Sequence, residues 1–227
     1  GLLLLTSVLL ALAGCDTTTT SPTGGDSGGE HLVAYASDRN QAPGQFDIYL
    51  YDLDLLGFRS LPSLNSPSAA DMNPSLSSNG RLIAFESARS GTGIDILLYD
   101  RAAQPPGLVA LPGVNTGADE TEPEFSGDLL KLAFVQVAGG FRRIRLMDGV
   151  PDTLLALPGL DTTGAFNDMS PSTNHDASTI AYAWDGNGNP DVFVWRRGVG
   201  LLNLPSLISP ERDLDPAIST DGRFLCF

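Results

Sequence analysis

The sequence predicts an all-β chain, a β-propeller of about four blades with the start of a fifth. Three observations predict it. Four landmarks recur in fixed order with a period near 48 residues, each repeat reads as short strands parted by turns, and 25 glycines and 16 prolines are spread along the 227 residues rather than clustered. Three or four antiparallel strands cannot bury both faces of their own sheet, so tandem copies must stack on one another.

The unit is clearest in residues 71–100, DMNPSLSSNGRLIAFESARSGTGIDILLYD. Pro74-Ser75-Leu76-Ser77 is a short extended run, and Ser78-Asn79-Gly80-Arg81 carries the Asn-Gly pair of a tight hairpin. Leu82-Ile83-Ala84-Phe85 is a continuous apolar strand. Gly91 and Gly93 punctuate a loop before a third strand that begins at Ile94.

The apolar strand returns as Leu32-Val33-Ala34-Tyr35, Lys131-Leu132-Ala133-Phe134, Thr179-Ile180-Ala181-Tyr182 and Phe224-Leu225-Cys226-Phe227. Its last residue advances by 50, 49, 48 and 45 positions. The strand after it starts at Asp47, Asp95, Arg143 and Asp191, every step being 48. A Leu-Pro step follows at Pro62, Pro112, Pro158 and Pro205. Last comes an acid three residues before a proline: Asp71, Glu120, Asp168 and Asp213, before Pro74, Pro123, Pro171 and Pro216.

A strand covered on both faces by adjacent blades should be apolar at successive positions, as this one is. Crowding toward the axis favours one small side chain there, the place of Ala34, Ala84, Ala133, Ala181 and Cys226. Cys226 is therefore expected to be a small core residue rather than a reactive thiol. The third strand alternates, with Ile48/Leu50, Ile96/Leu98, Ile144/Leu146 and Val192/Val194 on one face. The first blade begins at its second strand and the fifth stops early, so the chain is expected to be a fragment of a six- to eight-bladed ring.

The pattern D-x-x-P-S-x-S-x-x-G-x-x-I-A-F followed by D-I-x-x-Y-D resembles the TolB-type propeller repeat, a relative of the WD-repeat blade. The resemblance spans residues 32–227. It departs where the family has Trp after Pro-Ser and this chain has Leu76 and Ile218, and where Arg143 replaces Asp. It implies a non-catalytic platform that accepts a partner peptide at the central channel. The alternative it leaves open is a propeller that gates substrate entry to a serine peptidase, or a propeller of the polysaccharide-lyase type.

Residues 1–14 read as the partial signal peptide of a lipoprotein, an apolar run too short to span a bilayer that ends in small residues. Leu12-Ala13-Gly14-Cys15 resembles the lipobox of bacterial lipoproteins, which implies that Cys15 is acylated and becomes the membrane anchor. Several acyl chains on one residue give stable anchoring where one does not. Residues 15–30 have the Thr/Ser/Gly composition of a flexible tether, and 31–227 form the propeller. Gly25-Asp26-Ser27-Gly28-Gly29 matches the nucleophile motif of chymotrypsin-like proteases, but those enzymes place their His and Asp earlier in the chain, and here only signal peptide and linker lie upstream.

A formal charge of -14, from 13 Lys and Arg against 27 Asp and Glu, argues against nucleic acid as a partner. The expected partners are an envelope protein or peptide, and the membrane through the lipid. Asp71, Glu120, Asp168 and Asp213 lie where each blade crosses to the next, so they are candidates to ring one mouth of the channel and receive basic groups or amides. The competing role is to accept backbone hydrogen bonds and fix the crossover. The stretch Asp185-Gly186-Asn187-Gly188-Asn189-Pro190-Asp191 resembles the start of an EF-hand loop, but Pro190 replaces the required glycine and Arg196 the bidentate Glu. A polar hairpin is the expectation there, with weak divalent-cation binding the alternative. His31 and His175 are set among no nucleophiles, no cofactor motif is present, and Arg142, Arg143 and Arg145 read as a solvated blade edge, with contact to an acidic partner the alternative.

Overall fold

A computed structural model describes residues 30–39, 41–128, 131–149, 153–160, 166–186 and 188–227. The signal-peptide stretch, Cys15 and most of the tether lie outside the described residues. Every strand pair is antiparallel. The first sheet has three strands, β1 (Leu32–Ser37), β2 (Asp47–Asp52) and β3 (Gly57–Arg59). The next three have four each, in simple meander order. They are β4 (Asp71–Leu76), β5 (Leu82–Ser87), β6 (Asp95–Asp100) and β7 (Gly107–Val109); β8 (Asp119–Phe125), β9 (Lys131–Ala138), β10 (Phe141–Asp148) and β11 (Thr153–Leu155); and β12 (Asp168–Thr173), β13 (Thr179–Trp184), β14 (Asp191–Arg196) and β15 (Gly200–Leu201). β16 (Ala217–Ile218) and β17 (Leu225–Cys226) open a fifth sheet. Four blades and the start of a fifth are thus as the repeat predicts.

The apolar clusters lie between sheets, which is why no unit can stand alone. One joins Ala34, Ile48 and Leu50 of the first sheet to Ile83, Phe85 and Tyr99 of the second. Another joins Ala84, Ile96 and Leu98 to Leu132, Phe134 and Met147. A third joins Ala133, Ile144 and Leu146 to Ile180, Tyr182 and Trp195. The small residue of the second strand is buried in each of the four sheets, and so is the apolar pair of the third strand.

The Leu-Pro step is a plug. Leu64, Val114 and Leu160 each close a turn onto the carbonyl of Leu61, Leu111 and Leu157, and all three drop into an intersheet cluster. Truncating either plug leucine, Leu64 or Leu160, to Ala should cost about 2–5 kcal/mol. The plug is latched from below in two places, where the Tyr99 hydroxyl donates to the Pro62 carbonyl (3.0 Å) and Trp195 Nε1 to the Pro158 carbonyl (2.9 Å).

The hairpin turns at the far ends of the inner strands also clip together. Ser78 Oγ donates to the Gly127 carbonyl, Asp128 N–H to His175, and His175 N–H to Thr220. His175 is thus part of the intersheet clip, packed so closely that a Cβ on Gly127 would sit 2.8 Å from its Nδ1. Cys226 corrects the expectation of a core residue. It is exposed, because no sheet among the described residues packs over the outer face of β16–β17.

Candidate functional site

The inner strands β4, β8, β12 and β16 neighbour one another in turn, each paired within its sheet on one side only. Their other edges face the axis of the fan. Each of the first three has a register break against its partner, between Met72 and Ser75, Thr121 and Glu124, and Met169 and Ser172. At the break the residue before proline holds a positive φ: Asn73 at 46°, Glu122 at 53° and Ser170 at 51°, with Asp215 at 52° in the same place on the fifth unit. A residue before proline ordinarily prefers extended backbone, and a non-glycine in the left-handed region costs about 1–3 kcal/mol. That strain is held four times over by the bonds described next.

Asn73 Nδ2 donates to Glu86 Oε1 (2.8 Å), and the Glu122 N–H donates to the same oxygen from the next blade (2.6 Å). The Glu122 carboxylate in turn accepts the Ser170 N–H (2.7 Å) and the Arg142 guanidinium. Ser170 Oγ then donates to Asp215 Oδ1 (2.8 Å). A polar girdle therefore runs blade to blade from Asn73 to Asp215. One step further along the same strands, Ser75 Oγ donates to Glu124 Oε2 (3.3 Å) and accepts the Phe125 N–H, and Ser172 Oγ accepts the Ile218 N–H.

This girdle is rich in acid and short of cations. Burial pushes the Glu86 carboxyl up from its ordinary value, opposed by the Asn73 and Glu122 donors. Glu124 is crowded between inner strands with Ser75 as its one compensating donor, and burial pushes it up to about 7. A neutral Glu124 donates a hydrogen bond and an ionised one accepts, so this position changes character near neutral pH.

The four acids singled out in the sequence sit at the crossovers, as their spacing requires. Asp71, Glu120 and Asp213 each donate their backbone N–H to the residue before the third strand of the preceding blade, Phe46, Ile94 and Pro190. Their side chains turn into the crossover loops. Asp71 is fully buried and accepts Ser66 N–H and Arg89 Nη2, both at 2.7 Å. Glu120 is fully buried and accepts Thr116 N–H, Thr116 Oγ1 and Gln136 Nε2. Asp168 is 2% exposed, and the half-buried Asp213 accepts Ser209 Oγ at 2.9 Å. Asp71, Glu120 and Asp168 therefore offer almost no open surface, and the geometry of Asp71 and Glu120 is that of crossover clamps. The acids that bond across neighbouring inner strands, Glu86, Glu122, Glu124 and Asp215, are absent from the sequence reading. Polar residues directly before Pro74, Pro123, Pro171 and Pro216 were the available signal.

Arg142 departs from the solvated blade edge expected of it, since it pairs with Glu122 inside the girdle. Asp185 and Asp191 do not converge on a cation: Asp185 takes both the N–H and Nδ2 of Asn167, and Asp191 Oδ1 takes Ser209 N–H. Asn187 lies outside the described residues. Among the described residues no group of three or more His, Cys, Asp or Glu is placed to hold a metal, and no helix is long and apolar enough to cross a membrane.

No protein-family model matches the chain, and no curated protein sequence does. Solved structures do. TolB from Acinetobacter baumannii superposes with a TM-score of 0.64 at 18% identity, over 86% of this chain and 46% of that one. TolB from Agrobacterium tumefaciens gives 0.58 at 16%, over 86% and 69%. A complex of KlAtg21 with the coiled-coil of AgAtg16 gives 0.58 at 14%, over 86% and 59%. The chain thus spans about half the length of the Acinetobacter protein, and the likeness is one of fold.

Proposed function

We infer that the chain is a TolB-like, non-catalytic interaction platform of the bacterial cell envelope, anchored through an acylated Cys15 on its periplasmic or outer surface. One observation carries the reading: strained backbone at the same position of four successive blades aims a row of polar groups, Glu122 and Asp215 among them, along the axis. Backbone strain repeated at one site is where a fold keeps groups for recognition. Acids in excess over cations suit a segment that brings amide donors or basic side chains. The crossover acids Asp71, Glu120, Asp168 and Asp213 have the supporting part, holding each inner strand at its angle to the axis. The solved complex of a like propeller with a coiled coil supports a protein as the partner class.

Site-specific photo-crosslinking tests the reading. A crosslinker at Asp215 of the full chain, in cells, should yield an adduct with an envelope protein, and Glu122→Gln should weaken it several-fold. A crosslinker on the outer strand at Leu201 should not yield it. Equal adducts from both places, or none from Asp215, would overturn the axial site.

A further inference from the structure

The turn between β2 and β3 is Leu53-Asp54-Leu55-Leu56, and its leucines stand in solvent at 51%, 65% and 74% exposure. The equivalent turns of the second and fourth sheets carry Arg101-Ala102-Ala103-Gln104 and Arg197-Gly198-Val199 instead. Three leucines at one tip are costly to leave in water.

The leucine turn is also where the chain enters the propeller. His31 N–H and Nδ1 both bond Asp54, at 3.1 and 2.9 Å, and Leu53 N–H donates to the His31 carbonyl. Glu30 is tied at 3.0 Å to Arg59 of β3 and at 2.9 Å to Arg101. These ties hold the first described residues against this hairpin. They also offset most of its charge: three carboxylates, Asp52, Asp54 and Glu30, face two guanidiniums, Arg59 and Arg101, and His31, which adds a positive charge only when protonated. Little of the net -14 of the chain therefore falls at this tip.

We propose that the Leu53, Leu55 and Leu56 tip is a membrane-contact element that rests in the interface of the bilayer holding the Cys15 anchor. The proposal rests on the acylation of Cys15. From Cys15 to Glu30 is 15 residue steps, so the contour keeps the hairpin within roughly 50 Å of the lipid. Of the described turns between the third and outer strands, the one nearest the anchor in chain length is the apolar, largely charge-compensated one. Contact there fixes which face of the propeller meets the membrane and leaves the axis open to a partner.

The test uses the acylated full chain in vesicles of phosphatidylethanolamine and phosphatidylglycerol. Leu56→Cys is labelled with a fluorophore in a Cys226→Ser background, with Leu201→Cys as the control position. Lipid carrying a shallow nitroxide should quench the label at 56 several-fold more than at 201, and aqueous iodide should show the reverse. Equal quenching at both positions, or full iodide access at 56 with Cys15 acylated, would overturn the membrane contact alone. Shielding of 56 that rises with the protein-to-lipid ratio would assign the tip to a second copy and overturn it too. Mass spectrometry of the amino-terminal peptide reads the anchor separately: an unmodified Cys15 removes the anchor and this proposal together.

Discussion

The Ser170 N–H donates to the Glu122 carboxylate across the gap between the third and fourth sheets, 2.7 Å from nitrogen to oxygen. Both residues hold positive φ immediately before a proline. The bond therefore joins two strained backbones, and each makes the other's conformation worth keeping. The same carboxylate holds Arg142. Glu122→Ala leaves a buried-edge N–H and a guanidinium without their acceptor, which should cost about 1–3 kcal/mol. Glu122→Gln keeps an acceptor and should cost less. Urea unfolding checks both, and a midpoint unmoved by either variant would mean that the girdle is incidental to the stack.

Glu124 should make stability depend on pH. Its carboxyl is raised from 4.5 in the unfolded chain to about 7 by burial. The folded state thus holds the proton more tightly, so the contribution is full below pH 4.5 and is lost as pH rises through about 7. Glu124→Gln mimics the protonated form. It should match the parent at pH 4 and exceed it at pH 8 by an amount on the order of 2–3 kcal/mol. Parallel stability profiles for the two proteins between pH 4 and 8 would contradict it.

The blades were legible in the sequence because burial on both faces imposes a pattern that needs no knowledge of neighbours. Ile83-Ala84-Phe85 reads as buried and is buried. The crossover acids were legible as a recurrence, and Asp71 and Glu120 fall at the crossover junctions as the spacing demands. Which way their side chains turn was not, since a short carboxylate beside Ser66 or Thr116 can point into the loop or out of it. The girdle was hidden for a different reason. Asn73, Glu122, Ser170 and Asp215 are all polar and all precede a proline, but amide, carboxylate and hydroxyl do not read as one motif, and the backbone conformation that unites them leaves a weak trace in residue type. Cys226 was misplaced because its exposure depends on what packs over β17, which spacing within the repeat does not encode.

The latch beneath each Leu-Pro plug should be separable from the plug itself. Tyr99 and Trp195 donate to the Pro62 and Pro158 carbonyls, while Met147, at the same position of the third sheet, has no donor and packs instead with Leu111 and Val114. Tyr99→Phe and Trp195→Phe should each cost about 1 kcal/mol, the net worth of one hydrogen bond, with Trp195→Phe losing some packing besides. Met147→Leu, which alters no bond, should cost less than either. Thermal unfolding of the three variants orders them, and a Met147→Leu loss as large as the others would show that shape alone holds the plug.

Gly186 should resist even the smallest side chain. The Trp184 ring folds back over it, so an added Cβ would fall far inside contact distance of the indole. The ring has little room to retreat, because Phe193 meets it edge-on at 5.0 Å between centroids and Phe166 at 5.3 Å. Gly186→Ala must therefore push the indole off that pair or bend the turn after β13, at about 1–3 kcal/mol. Near-ultraviolet circular dichroism separates the two responses. Loss of the tryptophan signal with the far-ultraviolet β spectrum intact would report a displaced ring, and an unchanged spectrum with unchanged stability would show that the ring does not rest there. Trp184→Leu should relieve the conflict, so that adding Gly186→Ala to it costs little more, a non-additivity expected only of residues in contact.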